Sequence, residues 1–178
     1  YFTASTVDEG RELWRTDGTA AGTTLVADVN PNGDSDPAHL TSVGGVLYFM
    51  ADDGVHGREL WKTAGTPATT FLVKDIHPGP EGTDARELTA FQGALFFSSD
   101  GPTTDRHLWR SDGTSTGTGQ FAQLAVGQSS DPMMLKANAA DTLLYFFADD
   151  GVHGSDPWVT DGTLVGTKTL GDLDAGSP

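Results

Sequence analysis

Short apolar runs recur along the chain at even intervals, separated by polar, glycine-bearing stretches. The runs are Tyr1-Phe2, Val46–Ala51 (VLYFMA), Ala94–Ser99 (ALFFSS) and Leu143–Ala148 (LLYFFA). Aromatic and branched residues take both alternating positions in them, which predicts strands covered on both faces. A polar turn follows each run, reading DDGVHG at Asp52–Gly57 and again, letter for letter, at Asp149–Gly154, with DGPTTD in the third copy. Next comes a tryptophan-bearing strand, and then a hairpin turn at Asp17-Gly18, Ala64-Gly65, Asp112-Gly113 and Asp161-Gly162. Asp-Gly favours the positive φ angles that tight hairpins require. TTLVADV at Thr23–Val29 and TFLVKDI at Thr70–Ile76 alternate like half-exposed outer strands. A proline- and glycine-rich loop then leads to a fourth short strand (HLTSVGG, ELTAFQG or LKANAAD).

The register of this pattern is set by an eight-residue stretch, ELWRTDGT at Glu12–Thr19. It returns as ELWKTAGT from Glu59, HLWRSDGT from His107 and DPWVTDGT from Asp156. Trp14, Trp61, Trp109 and Trp158 follow one another at intervals of 47, 48 and 49 residues. The chain divides into one repeat domain with repeats at approximately 1–47, 48–95, 96–144 and 145–178, the last incomplete. Four antiparallel strands in each predict an all-β fold, a β-propeller of four-stranded blades with about four blades in this segment. A β-solenoid or tandem sandwich is the rival architecture. The four tryptophans are expected to be buried between blades, and Asp17, Asp112 and Asp161 to brace their turns.

Counting strands gives four each of the first three kinds but three of the last, and about ten further residues would complete the period. The segment is therefore expected to be the remainder of a longer chain or to form a homo-oligomer. Composition agrees with many tight turns, since the 178 residues include 23 glycines and 9 prolines. Ten basic against 25 acidic residues leave a formal charge of −15, which disfavours nucleic acid and anionic membrane surfaces as partners. No segment approaches the roughly 20 apolar residues of a membrane-spanning helix, so membrane insertion is not expected. With no cysteine, disulfides, thiolate metal sites and cysteine nucleophiles are excluded.

Three constellations carry candidate chemistry. Asp28, Asn30, Asn32 and Asp36 place oxygen ligands along a loop with Gly33 at its sharp turn, as a calcium site would; the competing reading is an Asx-rich turn that satisfies its own backbone. Arg11, Arg58 and Arg106 each stand three residues before a tryptophan. Blades would set them on a ring able to bind the carboxylates of acidic sugars, unless each pairs with one of the many acids. His56 and His153 occupy one slot of two identical turns, where a metal or pH role competes with simple turn stabilisation. No nucleophile, base and acid break the repeat pattern, so no catalytic residue is assigned.

Taken together, the tryptophans, the Asp-Gly-Thr turns, the following Gly-Thr (Gly22-Thr23, Gly117-Thr118, Gly166-Thr167) and the Val-x-Asp strand end resemble the ELWxxDGT-repeat proteins, a bacterial family of long secreted or surface-attached chains. The likeness covers essentially the whole chain. It departs at Ala64, Pro67-Ala68-Thr69, Gln123-Leu124-Ala125 and Asp156-Pro157. The family implies tandem propeller-like units and an extracellular or cell-surface location, with no established activity. The expected function is a non-enzymatic binding or adhesion module for a glycan or an extracellular matrix protein. The alternatives are a structural spacer and a hydrolase whose catalytic residues lie outside this segment.

Overall fold

The computed structural model describes residues 1–103 and 105–173. It is all-β, with one short 3-10 turn at Pro67–Thr69 and fifteen strands among the described residues. No helix is long and apolar enough to cross a membrane. The chain folds as two compact units, Tyr1–Asp84 and Ala85–Pro178, each with two antiparallel sheets whose strands pair in sequence order.

In the first unit, β1 (Phe2–Thr6), β2 (Gly10–Arg15) and β3 (Thr24–Ala27) make a three-stranded sheet. β4 (Ala38–Val43), β5 (Val46–Asp52), β6 (Arg58–Thr63) and β7 (Phe71–Lys74) make a four-stranded one. In the second unit, β8 (Arg86–Phe91), β9 (Ala94–Asp100), β10 (Arg106–Ser111) and β11 (Gly119–Ala122) form the third sheet. The fourth holds β12 (Met133–Ala137), β13 (Leu144–Asp149), β14 (Ser155–Thr160) and β15 (Lys168–Thr169).

The strand read from sequence as the last of each repeat is thus the first of the next sheet. Turn chemistry explains the shift: Val43 pairs with Val46 across Gly44-Gly45, and Phe91 with Ala94 across Gln92-Gly93. All four turn residues have positive φ (56°, 85°, 49° and 70°), the signature of the two-residue turn that matches strand twist. Such a turn locks this strand to the one that follows, whereas the loop before it is long. The three strands of this kind are β4, β8 and β12, and the first sheet has none.

The apolar runs at β5 and β9 are buried on both faces, whereas β13 alternates. The outer strands do not keep the simple alternation expected of them. A bulge shifts the register so that Leu13 pairs with Ala27 while Trp14 pairs with Leu25, and the same irregularity lies between Leu60 and Trp61 and between Leu108 and Trp109. The extra residue lets Val26 and Ala27 both turn inward.

The core lies between the sheets of each unit. Leu13, Val26 and Ala27 of the first sheet meet Leu47, Phe49 and Ala51 of the second, with Trp61 packed against the cluster. Phe91, Phe96 and Leu108 of the third meet Leu135, Leu144 and Phe146 of the fourth, with Trp158 beside them. Tryptophan burial is less uniform than expected. Trp109 is buried at 7% exposure, where Phe97 stacks on it with ring centroids 6.2 Å apart. A side chain at Gly101 would press on its ring. Trp14, Trp61 and Trp158 are half-buried, because Trp61 and Trp158 sit at the margin of the inter-sheet clusters. Trp158 stacks on Phe146 (6.4 Å) and donates its indole N–H to the Ala148 carbonyl at 3.0 Å.

Candidate functional site

The Asp-Gly-Thr turns are built by their own side chains. Asp17 Oδ1 accepts the Thr19 N–H at 2.9 Å and the Thr19 hydroxyl at 2.7 Å, and the Thr19 hydroxyl in turn accepts the Gly22 N–H at 2.9 Å. Asp112 with Thr114 and Gly117, and Asp161 with Thr163 and Gly166, repeat the arrangement. A Cβ at Gly22, Gly117 or Gly166 would overlap the aspartate carboxylate, which accounts for the glycine of the following Gly-Thr. These donors hold all three carboxyls below the ordinary value, the threonine hydroxyl contributing most. In the second repeat, where Ala64 has no carboxylate, Thr69 accepts the Ala64 and Thr66 N–H groups instead.

The histidine turns are equally self-contained. His56 Nδ1 lies 2.7 Å from Asp53 Oδ2, while Asp53 Oδ1 accepts the N–H groups of Val55 and His56. His153 and Asp150 reproduce this at 2.8 Å. Each aspartate raises its histidine's pKa, chiefly through the side-chain hydrogen bond. That bond and two backbone donors hold Asp150 down at about 2.

Two buried glutamates that the sequence reading passed over organise the long loops. Glu12, fully buried, accepts the Val29 N–H (3.1 Å), the Ser35 N–H (3.0 Å) and the Ser35 hydroxyl (2.5 Å). Glu59 accepts the N–H groups of Ile76 and His77, each at 3.0 Å. Both belong to the Glu-Leu-Trp triplets, so the signal was in the motif itself. Burial pushes the Glu12 carboxyl up more than its hydrogen bonds pull it down. In the second unit His107 and Asp156 take this position; Asp156 accepts the Leu173 N–H (2.8 Å), and His107 Nδ1 is buried with no partner among the described residues.

In the candidate calcium loop, Asn30 and Asn32 come together, the Asn30 side-chain oxygen accepting the Asn32 N–H at 3.3 Å and its amide reaching the Asp34 carbonyl at 3.2 Å. Asp36 turns away to Arg11 (3.5 Å), and Asp28 lies close enough to Glu12 to help raise its pKa. A cation held by all four would have to displace the Arg11–Asp36 pair. Among the described residues, no three His, Cys, Asp or Glu side chains are grouped to hold a metal.

The three arginines share a backbone role, since their carbonyls accept the N–H groups of Ser35 (3.2 Å), Thr83 (2.7 Å) and Ser130 (2.8 Å) and so dock each long loop. Their side chains differ. The Arg11 guanidinium reaches Asp36 and the Thr3 hydroxyl (3.3 Å). Arg58 is half-buried. Arg106 donates to the Ser98 carbonyl (3.2 Å) and lines a cavity of about 280 Å³ with Arg86, Glu87, Ser98, Asp131, Pro132 and Met133.

This cavity breaks the repeat. Where Arg86 pairs with Ser98 across the third sheet, the second has Ala38 opposite Met50 and the fourth Met133 opposite Phe147. An apolar pair is thus replaced by a guanidinium and a hydroxyl. Ser98 is 1% exposed and its Oγ has no hydrogen-bond partner, an uncommon state that carries a cost in free energy. Cross-sheet bonds fix the site: Glu87 accepts the Leu135 N–H and the Thr89 hydroxyl donates to the Leu135 carbonyl, both at 3.3 Å. Comparison of the chain with protein-family models, curated proteins and solved structures gives no match.

Proposed function

We propose that this chain is a non-enzymatic binding or adhesion module of a secreted or cell-surface protein, with its sheets serving as blades of a propeller-type array like that of the ELWxxDGT-repeat proteins. The observation that carries the reading is the cavity at Arg86, Ser98, Arg106 and Asp131. A scaffold kept only as a spacer would fill that position with an apolar pair, as its neighbours do, whereas a binding site needs a concave place with a few convergent polar groups. Its framework suits presentation of loops, because each hairpin is braced by its own side chains while tip residues such as Val7, Val55 and Val152 stand exposed.

The test is a screen of the complete chain against glycans and extracellular matrix proteins, with calcium present and with chelator. Saturable binding of at least one class is expected. Silence throughout favours the structural spacer, and silence combined with hydrolysis of a glycoside or peptide favours the hydrolase.

A further inference from the structure

We infer that the open groove between β11 and the β14–β15 hairpin binds a monocarboxylate carried on a ring-sized apolar body, an assignment that does not rest on the glycan and matrix reading. The groove has a volume of about 360 Å³ and is lined by Arg110, Thr116, Gly119, Gln120, Phe121 and Leu164. One strand pair in each sheet occupies this slot: Arg15 opposite Thr24, Lys62 opposite Phe71, Arg110 opposite Gly119 and Val159 opposite Lys168. The third pair alone sets a cation opposite a residue without a side chain. In the first sheet Arg15 Nε donates to the Thr24 hydroxyl at 3.3 Å. Gly119 offers no such acceptor, and a Cβ placed there would meet nothing within 4 Å. Half-buried Arg110 accordingly makes no hydrogen bond or ion pair among the described residues.

Each lining group limits the ligand. The guanidinium presents a planar fork of N–H donors that suits a carboxylate and strengthens the bonds by its charge. Nearby Asp112 is held ionised, chiefly by Thr114 and in smaller part by the field of Arg110, and its Oδ1 is engaged within its own turn. A second negative charge on the ligand would meet that carboxylate uncompensated, which favours a single carboxylate over phosphate. The half-buried Phe121 ring and Leu164, 65% exposed, supply apolar surface from the two sheets, and a flat apolar body would cover both. Gln120 stands opposite Trp109 where the first sheet has Leu25 opposite Trp14, and its amide, without a partner among the described residues, adds a polar group to orient the ligand. Gln92 donates its side-chain amide to the Asp161 carbonyl at 3.2 Å, which ties the hairpin to the third sheet and fixes the width of the groove. The volume falls at the lower end of small-molecule sites, roughly 300–1,000 Å³, and so admits one ring with its carboxylate.

The test titrates benzoate and phenylacetate into the full chain, followed by NMR at the Phe121 ring and the Leu164 methyls, with acetate, benzyl alcohol and inorganic phosphate as controls. Saturation below about 10 mM is expected for at least one aromatic acid, the weakest affinity that ordinary ligand efficiency gives a ligand of about nine non-hydrogen atoms. Each control lacks the body, the charge or its single valence, and should bind at least about tenfold more weakly. The variant G119T installs the threonine that the first sheet carries opposite its arginine. Gly119 is not among the positive-φ residues and threonine suits a strand better than glycine, so Tm should be unchanged or raised. Acid binding should fall by about tenfold or more as the new hydroxyl engages Arg110 and fills the space. R110Q, at a half-buried position, should keep the fold, reduce the acids to the affinity of benzyl alcohol and leave benzyl alcohol itself unchanged. Affinity unaltered in both variants, phosphate bound as tightly as the acids, or no saturable response to either acid overturns the assignment.

Discussion

Thr3, Arg11 and Asp36 in the first unit occupy the places of Ser98, Arg106 and Asp131 in the second, as Thr3 opposite Leu13 and Ser98 opposite Leu108 establish. In the first unit the three close on one another, with the arginine held by the aspartate at 3.5 Å and the threonine at 3.3 Å. In the second they line a cavity with an unpartnered hydroxyl at its floor. The first sheet lacks the strand that carries Arg86 in the third, so its corner satisfies itself. The same three residue types therefore close a corner in one unit and line a cavity in the other, where Arg86 joins them. The slot two residues before each tryptophan also differs, from loop-holding Glu12 and Glu59 to His107 with an orphaned nitrogen.

The largest effect on this contrast should come from the tryptophans. Trp109→Ala removes a buried ring from the second unit and should cost about 3–5 kcal/mol in urea denaturation. Trp14→Ala, at a half-buried ring, should cost roughly half as much. Equal costs would mean that the two rings do equivalent work despite their different exposure.

Next come the loop-holding acids. Glu59→Ala strands two backbone N–H groups and should cost about 2–4 kcal/mol, whereas His107→Ala, whose buried nitrogen already lacks a partner, should cost less than about 1 kcal/mol. A large loss at His107 would remove the asymmetry. Arg11→Ala breaks a pair whose side chains are 51% and 56% exposed, so a stability change within about 1 kcal/mol is expected.

The smallest effect concerns pH. The pKa values of His56 and His153 are raised by their aspartates, so their contribution is fully present below the ordinary value of 6.5 and fades as pH rises through the raised one. At Asp53 burial pushes upward, but the His56 backbone and ring bonds outweigh it; like Asp150, it stabilises above 3.8 and loses that contribution in acid. Both turns therefore contribute most between roughly pH 4 and 6.5. Glu12, raised by burial, also favours the fold below its ordinary 4.5 and loses that contribution as pH climbs through its raised value. Replacing both histidines with glutamine should flatten the Tm difference between mildly acidic and alkaline buffer; an unchanged slope would leave the pairs without a role in it.

Much of the fold was legible because its signals are local. Asp-Gly turns, apolar runs and tryptophan spacing lie within one strand or hairpin, and the expected strands Val46–Ala51 and Ala94–Ser99 are β5 and β9 to within a residue. The shift of one strand between repeat and sheet was less visible, although Gly44-Gly45 and Gln92-Gly93 carry its cause. The cavity depends on a partnership the linear order hides. Ser98-Ser99 interrupts an otherwise apolar run, but Ser98 meets Arg86 only across a strand pair whose register shifts between Arg86 and Thr89. The proposed calcium loop read well as a string of oxygens, yet Asp36 is taken by Arg11, 25 positions earlier.

The sequential strand order of every sheet also bears on how the chain is made. Near-identical repeats invite mispairing, since a strand of one copy carries much the same pattern as its counterpart in the next. A repeat of about 48 residues leaves the ribosome in roughly 2–10 s at ordinary synthesis rates, while a hairpin closes in about 1–10 μs. Because each strand's partner is its neighbour in sequence, most of a sheet can assemble before its rival strands have been synthesised, and the order of synthesis itself keeps the copies from exchanging strands.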